Sequence, residues 1–341
     1  MKKILVIKMS ALGDVVRTTP HIQAVADQSP DAEVWLLTER GQAGLFAHHP
    51  RISTALIDRS QWFSEQSVRG RIAWMRRMAF DMVIDFQGNR TSRRLAAGAG
   101  GAVTVGPDPG SVYQKHTARS YTYTDDCLVN FIDYMDEILV AGGFRKAEPR
   151  THFFVSEKER EKVADFRRKH GLADRGYAVM HAGSSADYPS KRWPRENFAR
   201  LAAAVETAGV RCVWVGGPDD REVSGWLSQT AGLDATCAFS PIELYEFAKG
   251  ARFGVCADSG PMYLSAAAGA PVFALFGPTS RIRAHVQGQL DRAFQHPVPC
   301  GPCFRKRCPE KYGHACMRGL LPDTVLEKVA ELLPERGTEG R

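Results

Sequence analysis

The chain has 341 residues, 44% of them apolar and 24% charged. That length exceeds what one hydrophobic core usually serves, so two domains are expected, and the balance excludes a disordered or collagen-like chain. The formal net charge of +7 favours anionic partners such as phosphorylated substrates, although an ordinary solvated surface accounts for it as well. Lys2 and Lys3 precede only the short apolar stretch 4–7, too little for the apolar region of a signal peptide. The longest apolar tract, residues 263–276, is broken by Gly269 and Pro271 and reads as a helix followed by a strand. A cytoplasmic protein is expected, with contact at a membrane surface left open.

Residues 3–8 form an apolar run suited to a buried strand. It leads into Lys8-Met-Ser-Ala-Leu-Gly-Asp14, in which Gly13 allows a tight turn before a helix expected over 14–27. Asp14, where loop meets helix, can cap the helix or present a carboxylate as general base. One glycine is not the three-glycine dinucleotide fingerprint, so no nicotinamide site is expected here. Strands follow at 33–37, 54–57, 82–85 and 102–105, with a basic helix at 68–78. An amphipathic helix over 125–141 is closed by Gly142-Gly143. Arg69, Arg71, Arg76 and Arg77 lie on the 68–78 helix; Arg90, Arg93 and Arg94 follow the 82–85 strand; Lys115 and His116 lie in a loop. Each group reads as a solvated face or as contacts to an anionic partner.

Residues 144–151 lack periodicity and mark the linker, after which the alternation restarts. Helices are expected at 157–170, 198–208, from 219, and at 241–249, 261–268 and 324–333. Strands are expected at 177–181, 211–215, 253–256 and 272–276. Three strand-end loops carry candidate ligands. After 177–181, Gly183, Ser184 and Ser185 supply backbone N–H groups and hydroxyls, and Lys191 and Arg192 supply charge; together they suit a diphosphate, or form a polar surface loop. After 253–256, Ser259 and Gly260 open a helix whose dipole favours an anion, while Asp258 binds a hydroxyl or anchors the turn. After 211–215, Gly216 and Gly217 allow close approach of a flat ring or ribose, and Glu222 is placed to accept ribose hydroxyls. The sequence shows no Ser-His-Asp arrangement, no HExxH and no GxxxxGK[ST].

Of the eight cysteines, Cys127, Cys212, Cys237 and Cys256 are scattered and read as small core residues. Cys300, Cys303, Cys308 and Cys316 crowd one segment, a spacing that suits structural zinc, an iron–sulfur site less well, or a loop of reduced thiols.

Two successive strand–helix series imply an α/β chain with two doubly wound parallel sheets. The stretches KILVIKMSALGDVVRTTP, SKRWP, DSGPMYLSAAAGAPVFALFGPT and CGPCFRKRCP occur in one order along nearly the whole chain. Together they resemble glycosyltransferase family 9, the heptosyltransferases of lipopolysaccharide core assembly. The resemblance implies a GT-B fold of two facing Rossmann-like domains with an interdomain cleft. It divides the chain into an acceptor-binding domain at 1–150, a nucleotide-sugar-binding domain at 151–320, and a helix and tail at 321–341 crossing back toward the N-terminal domain. It further implies an inverting transferase that needs no metal for catalysis and favours an ADP-heptose donor. Residue by residue, Asp14 matches the base and Lys191 the lysine on the donor diphosphate. Gly183, Ser184, Ser185, Asp258, Ser259 and Gly260 match the phosphate site, and Glu222 more loosely a ribose-binding acid. Arg90 and Lys115 fall to an anionic glycolipid acceptor of the Kdo-lipid A type, reached at the cytoplasmic face of the inner membrane; nucleic acid is not an expected partner. Cys300, Cys303, Cys308 and Cys316 would hold a structural metal. A same-fold transferase using another nucleotide sugar, and a non-catalytic sugar-nucleotide binder, are the alternatives.

Overall fold

Each half of the chain builds a six-stranded, all-parallel sheet. The computed structural model describes residues 2–61, 63–108, 112–118 and 129–334. The chain divides into two units, Met1–Phe154 and Val155–Arg341.

The first unit contains β1 (Lys2–Ile7), β2 (Ala32–Thr38), β3 (Ile52–Leu56), β4 (Met82–Asp85), β5 (Val103–Gly106) and β6 (Lys115–His116), in the order β3-β2-β1-β4-β5-β6. The second contains β7 (Tyr177–His181), β8 (Arg211–Trp214), β9 (Leu233–Asp234), β10 (Phe253–Ala257), β11 (Val272–Phe276) and β12 (Ala293–Gln295), in the order β12-β11-β10-β7-β8-β9. Numbered within their own units, both sheets run third-second-first-fourth-fifth-sixth. Each therefore has a switch point between its first and fourth strands, where ligands bind beyond the carboxyl ends.

The central strands are apolar without alternation because helices cover both sheet faces. Every residue of β7, β10 and β11 is buried. In the first unit, Leu5, Ile7, Leu37, Val83 and Leu95 form a core. In the second, Trp193, Phe198, Trp214, Phe253 and Phe273 do so. Local signals start the helices: Ser156 with Glu159, and Ser240 with Glu243, make reciprocal capping boxes ahead of Glu157–Lys169 and Pro241–Lys249.

Four features depart from the sequence reading. The first helix is Leu12–Asp27, with Ala11 at the N-cap, so Asp14 is its third residue and not its cap. The short strands β6, β9 and β12 were not expected; two or three residues long, they carry no readable period. Arg90–Ala97 is a helix, opened by the Asn89–Ser92 capping box, where only a basic cluster was read. The helix expected over 125–141 is seen as Phe131–Ala141, and its expected start, with Cys127, lies outside the described residues.

The last helix, Pro322–Ala330, places Val325 and Val329 in the core of the second unit. Trp193 Nε1 donates to Leu320 O at 2.8 Å, and Arg200 pairs with Asp323 at 2.7 Å. Within the second unit this helix therefore packs its buried face against the helix Arg195–Thr207 and its neighbours. The tail 335–341 lies outside the described residues. Among the described residues no helix is long and apolar enough to cross a membrane.

Candidate functional site

In the first unit the switch point lies between β1 and β4. Gln87, just past β4, accepts from the backbone N–H groups of Met9 (2.9 Å) and Ser10 (3.1 Å), which pins the loop that carries Asp14. Beneath it Asp85 is buried, its Oδ2 accepting from Tyr113 Oη at 2.6 Å and its Oδ1 from Gln87 N–H at 2.7 Å. Lys8, only 2% exposed, donates to Phe86 O at 3.3 Å and lies over the Phe131 ring. Burial pulls the Lys8 ammonium below its ordinary value; Asp14 and Asp85 pull it back up, while Arg17 adds to the lowering. Asp14 is 35% exposed and faces Arg17 Nη1 at 3.7 Å. A carboxylate in the first turn suits the positive end of the helix dipole. At this switch point the Asp14 carboxylate is thus accessible while Lys8 and Asp85 are buried. Arg90 and Lys115, the expected acceptor contacts, are both exposed in this unit.

In the second unit the switch point gathers three strand ends. His181 closes β7 opposite Cys256 of β10, and Met180 lies opposite Trp214, the last residue of β8. Beyond β10, Lys191 Nζ pairs with Asp258 Oδ2 at 2.8 Å, and Thr279 Oγ1 donates to the same oxygen at 2.8 Å. Asp258 thus holds the lysine beside the start of the helix Gly260–Ala267. Ser259 occupies the N-cap of that helix, yet its side chain does not cap it. Ser259 therefore supplies no side-chain acceptor to the first turn, whose backbone and dipole suit an anion next to an ammonium group.

The other expected donor residues surround this point with different duties. Ser184 is buried; its hydroxyl donates to Tyr188 O at 2.9 Å and accepts from Arg192 Nε at 3.2 Å, so it braces the loop. Ser185 is exposed and accepts from Asp187 N–H at 3.3 Å. Glu222 is exposed in the first turn of Arg221–Ser228.

Gly183 and Gly216 serve a residue that the sequence did not single out. A Cβ on Gly183 would lie 1.6 Å from Asp220 Oδ1, and one on Gly216 would lie 2.4 Å from Asp220 Oδ2. At Gly216 the space that a Cβ would take is held by this buried carboxylate, whereas a Cβ on Gly217 would meet nothing within 4 Å. Burial alone would push Asp220 up, but His181, the Gly217 N–H and Arg192 together hold it below the usual carboxylate range.

Asp220 faces His181, and His181 faces Ser259. A Ser-His-Asp line is therefore present, contrary to the sequence reading. His181 ends β7, Asp220 lies in the turn after β8 and Ser259 at the helix start after β10, a grouping visible only after the strands pair.

Cys300, Cys303, Cys308 and Cys316 line one cavity of about 240 Å³ together with Ser190 and His314. The Cys316 thiol is pushed up to about 11, first by burial and then by Cys303, Cys308 and Cys300. Four thiols facing one space have the donor chemistry of a thiophilic ion. Among the described residues, however, no three His, Cys, Asp or Glu side chains are grouped closely enough to hold one. Of the other cysteines, Cys212 and Cys256 are buried as expected, whereas Cys237 is exposed.

The cysteine segment also grips the loop that leads to Lys191. Tyr188 Oη donates to Phe304 O at 2.6 Å, Ser190 Oγ to Arg305 O at 2.6 Å, and His314 Nε2 to Ser190 O at 2.6 Å. These contacts end one residue before Lys191, so the segment sets where that ammonium group starts.

Comparison with known proteins gives consistent findings. The family model described as "Glycosyltransferase family 9 (heptosyltransferase)" matches residues 72–314. The chain is 28% identical over 328 residues to lipopolysaccharide heptosyltransferase 1 of Pseudomonas aeruginosa, covering 90% of this chain and 87% of that one. Its fold is similar to the crystal structure of a family 9 glycosyl transferase from Veillonella parvula, with a TM-score of 0.79, 20% identity and 97% of each chain covered. It is also similar to the Escherichia coli heptosyltransferase WaaC with ADP, with a TM-score of 0.69, 20% identity, and 97% and 99% covered. The architecture is the two-domain α/β fold of the GT-B type.

Proposed function

The chain belongs to glycosyltransferase family 9 and is a glycosyltransferase; from that premise we propose that it moves a heptose from ADP-heptose to a lipopolysaccharide inner-core acceptor of the Kdo-lipid A type. The observation that carries the donor half of this reading is the Lys191 ammonium group, held by Asp258 beside an uncapped helix start. Both features stabilise a diphosphate without a catalytic metal.

In the proposed step Asp14 accepts the proton of an acceptor hydroxyl. The hydroxyl oxygen bonds to the anomeric carbon on the face opposite the nucleotide, which inverts configuration. The anomeric carbon–oxygen bond to the diphosphate breaks, and ADP leaves with the electron pair. Lys191 and the Ser259–Gly260 helix start meet the charge that develops on the diphosphate. Gly183, Ser184, Ser185 and Asp258 shape and brace the phosphate loop, and Glu222 takes the ribose. Arg90 and Lys115 meet the anionic acceptor, and a lipid acceptor places the enzyme at the cytoplasmic face of the inner membrane.

Lys191→Ala is expected to raise the donor KM and lower kcat, cutting kcat/KM by about 10²-fold or more, as loss of one charge-stabilising donor does. Steady-state assays with ADP-heptose check this, and an unchanged kcat/KM removes Lys191 from the site. A panel of other nucleotide sugars tests the donor: preferred transfer from a different one replaces ADP-heptose while leaving the fold assignment intact.

On the spacing of Cys300, Cys303, Cys308 and Cys316 we also propose a structural zinc ion, around which the thiols lining this cavity would have to close, since as placed no three of them are grouped for one; it would stiffen the Tyr188–Ser190 loop through residues 304–314. Elemental analysis of protein purified under reducing conditions is expected to find about one zinc per chain. Finding no metal rejects the site.

A further inference from the structure

Ser259 Oγ lies 2.9 Å from His181 Nδ1, and His181 Nε2 lies 3.4 Å from Asp220 Oδ2. His181 and Asp220 are almost fully buried, while Ser259 is partly exposed at the start of Gly260–Ala267. Ser259 Oγ also lies 3.0 Å from Ala257 O. A hydroxyl carries one proton, so the protonation of the imidazole decides where that proton points.

With a proton on Nε2 alone, directed at Asp220, the His181 Nδ1 lone pair faces Ser259 and takes its hydroxyl proton. The serine oxygen then turns only lone pairs toward an arriving phosphate. With both ring nitrogens protonated, Nδ1–H donates to Ser259 Oγ, and the serine proton is left to Ala257 O or to an arriving phosphate, the more strongly accepting of the two. The imidazolium also places a positive charge behind the hydroxyl.

Asp220 is built to hold that cation. Its Oδ2 accepts from Gly217 N–H at 2.8 Å, and its buried Oδ1 has no hydrogen-bond partner. The charged and titratable groups around the ring come from every neighbouring element. Asp220 follows β8, with Arg192 acting on it. The Cys256 thiol on β10 meets the His181 backbone, and burial keeps it protonated. The Lys191–Asp258 pair flanks Ser259.

We propose that binding of a diphosphate donor at this helix start is coupled to protonation of His181, which turns Ser259 into a hydrogen-bond donor to the leaving phosphate. The inference rests on the donor placement proposed above. His181 and Asp220 act through Ser259 and are positioning residues.

ADP-heptose is the probe, because its two bridging phosphates do not titrate near neutrality. Calorimetry on the wild-type protein, in two buffers of unlike ionisation enthalpy, is expected to show uptake approaching one proton per donor bound. The affinity is expected to fall by up to about tenfold per pH unit on the alkaline side. In His181→Gln the uptake disappears, the pH profile flattens and the donor KM rises. Nitrogen-15 spectra of the wild-type His181 ring are expected to move to the doubly protonated form when donor is added, which keeps the test open if His181→Gln does not fold. Donor binding with no proton uptake, persistent uptake in folded His181→Gln, or a ring that stays singly protonated each overturn the coupling while leaving the donor site in place. Failure of ADP-heptose to bind at any pH removes the donor placement, and the coupling with it.

Discussion

Asp14→Asn is expected to lower kcat by about 10² to 10⁴-fold while the donor KM changes little, the range in which a general base acts. Asparagine keeps the size and the hydrogen-bonding oxygen of the side chain but cannot accept a proton. The side chain is 35% exposed, is the third residue of its helix, and does not cap it. The stability cost is therefore limited to the lost helix-dipole interaction, about 0.3–1 kcal/mol, plus the loss of a carboxylate that supports the buried Lys8 cation. A melting temperature lowered by no more than about 2–4 °C alongside a collapsed kcat separates chemistry from folding. Near-normal turnover in a folded Asp14→Asn protein removes Asp14 as the base.

The second large effect concerns a glycine and a buried carboxylate. Gly183→Ala puts a methyl group 1.6 Å from Asp220 Oδ1 and 2.4 Å from its Cγ, so backbone or carboxylate must move. Overpacking of that kind costs about 1–3 kcal/mol, and the displaced segment is the one that leads to Ser184 and Lys191. Denaturant unfolding of Gly183→Ala is expected to show that loss, with a raised donor KM. The physical cause predicts a double-mutant result as well. On an Asp220→Ala background the obstacle is gone, and Gly183→Ala is expected to cost about 1–3 kcal/mol less than it does alone. Equal costs on both backgrounds would falsify the claim that Gly183 makes room for Asp220. Gly225→Ala is the control: its Cβ would meet nothing within 4 Å, and it lies within the helix Arg221–Ser228, so it is expected to be neutral or stabilising by up to about 1 kcal/mol.

These two residues mark how differently the two halves of the candidate site were legible. Asp14 stood out because it follows a glycine at the end of a buried strand, a local pattern. Lys191, Asp258 and Gly260 stood out for the same reason, as charged or small residues in strand-end loops. Asp220 and His181 did not. Asp220 lay near the expected start of a helix and drew no separate reading, and His181 read as the last residue of a strand. Their chemistry depends on contacts spanning 39 residues, from Asp220 to His181, and 78 residues, from His181 to Ser259.

The cysteine segment shows the same division. Its spacing was evident in the sequence, but its grip on Tyr188 and Ser190 spans more than 110 residues. That contact connects the four thiols to the donor loop, and no spacing rule predicts it.

The sequence by itself determined the order of strands and helices, the two-unit α/β class and the loops that carry charge. Those properties follow from apolar periodicity and from glycine, proline and capping residues, which act over a few neighbours. Edge strands such as β6 and β9 escaped because two residues have no period. Tertiary structure decided which loops meet. Pairing of β7 with both β10 and β8 sets His181 between Ser259 and Asp220, and packing under Gly183 and Gly216 leaves the Asp220 carboxylate its place. The same pairing faces Ser259, which the sequence had marked only as a helix-start residue of the phosphate site, with a histidine, because strand register is a non-local property that no single segment contains.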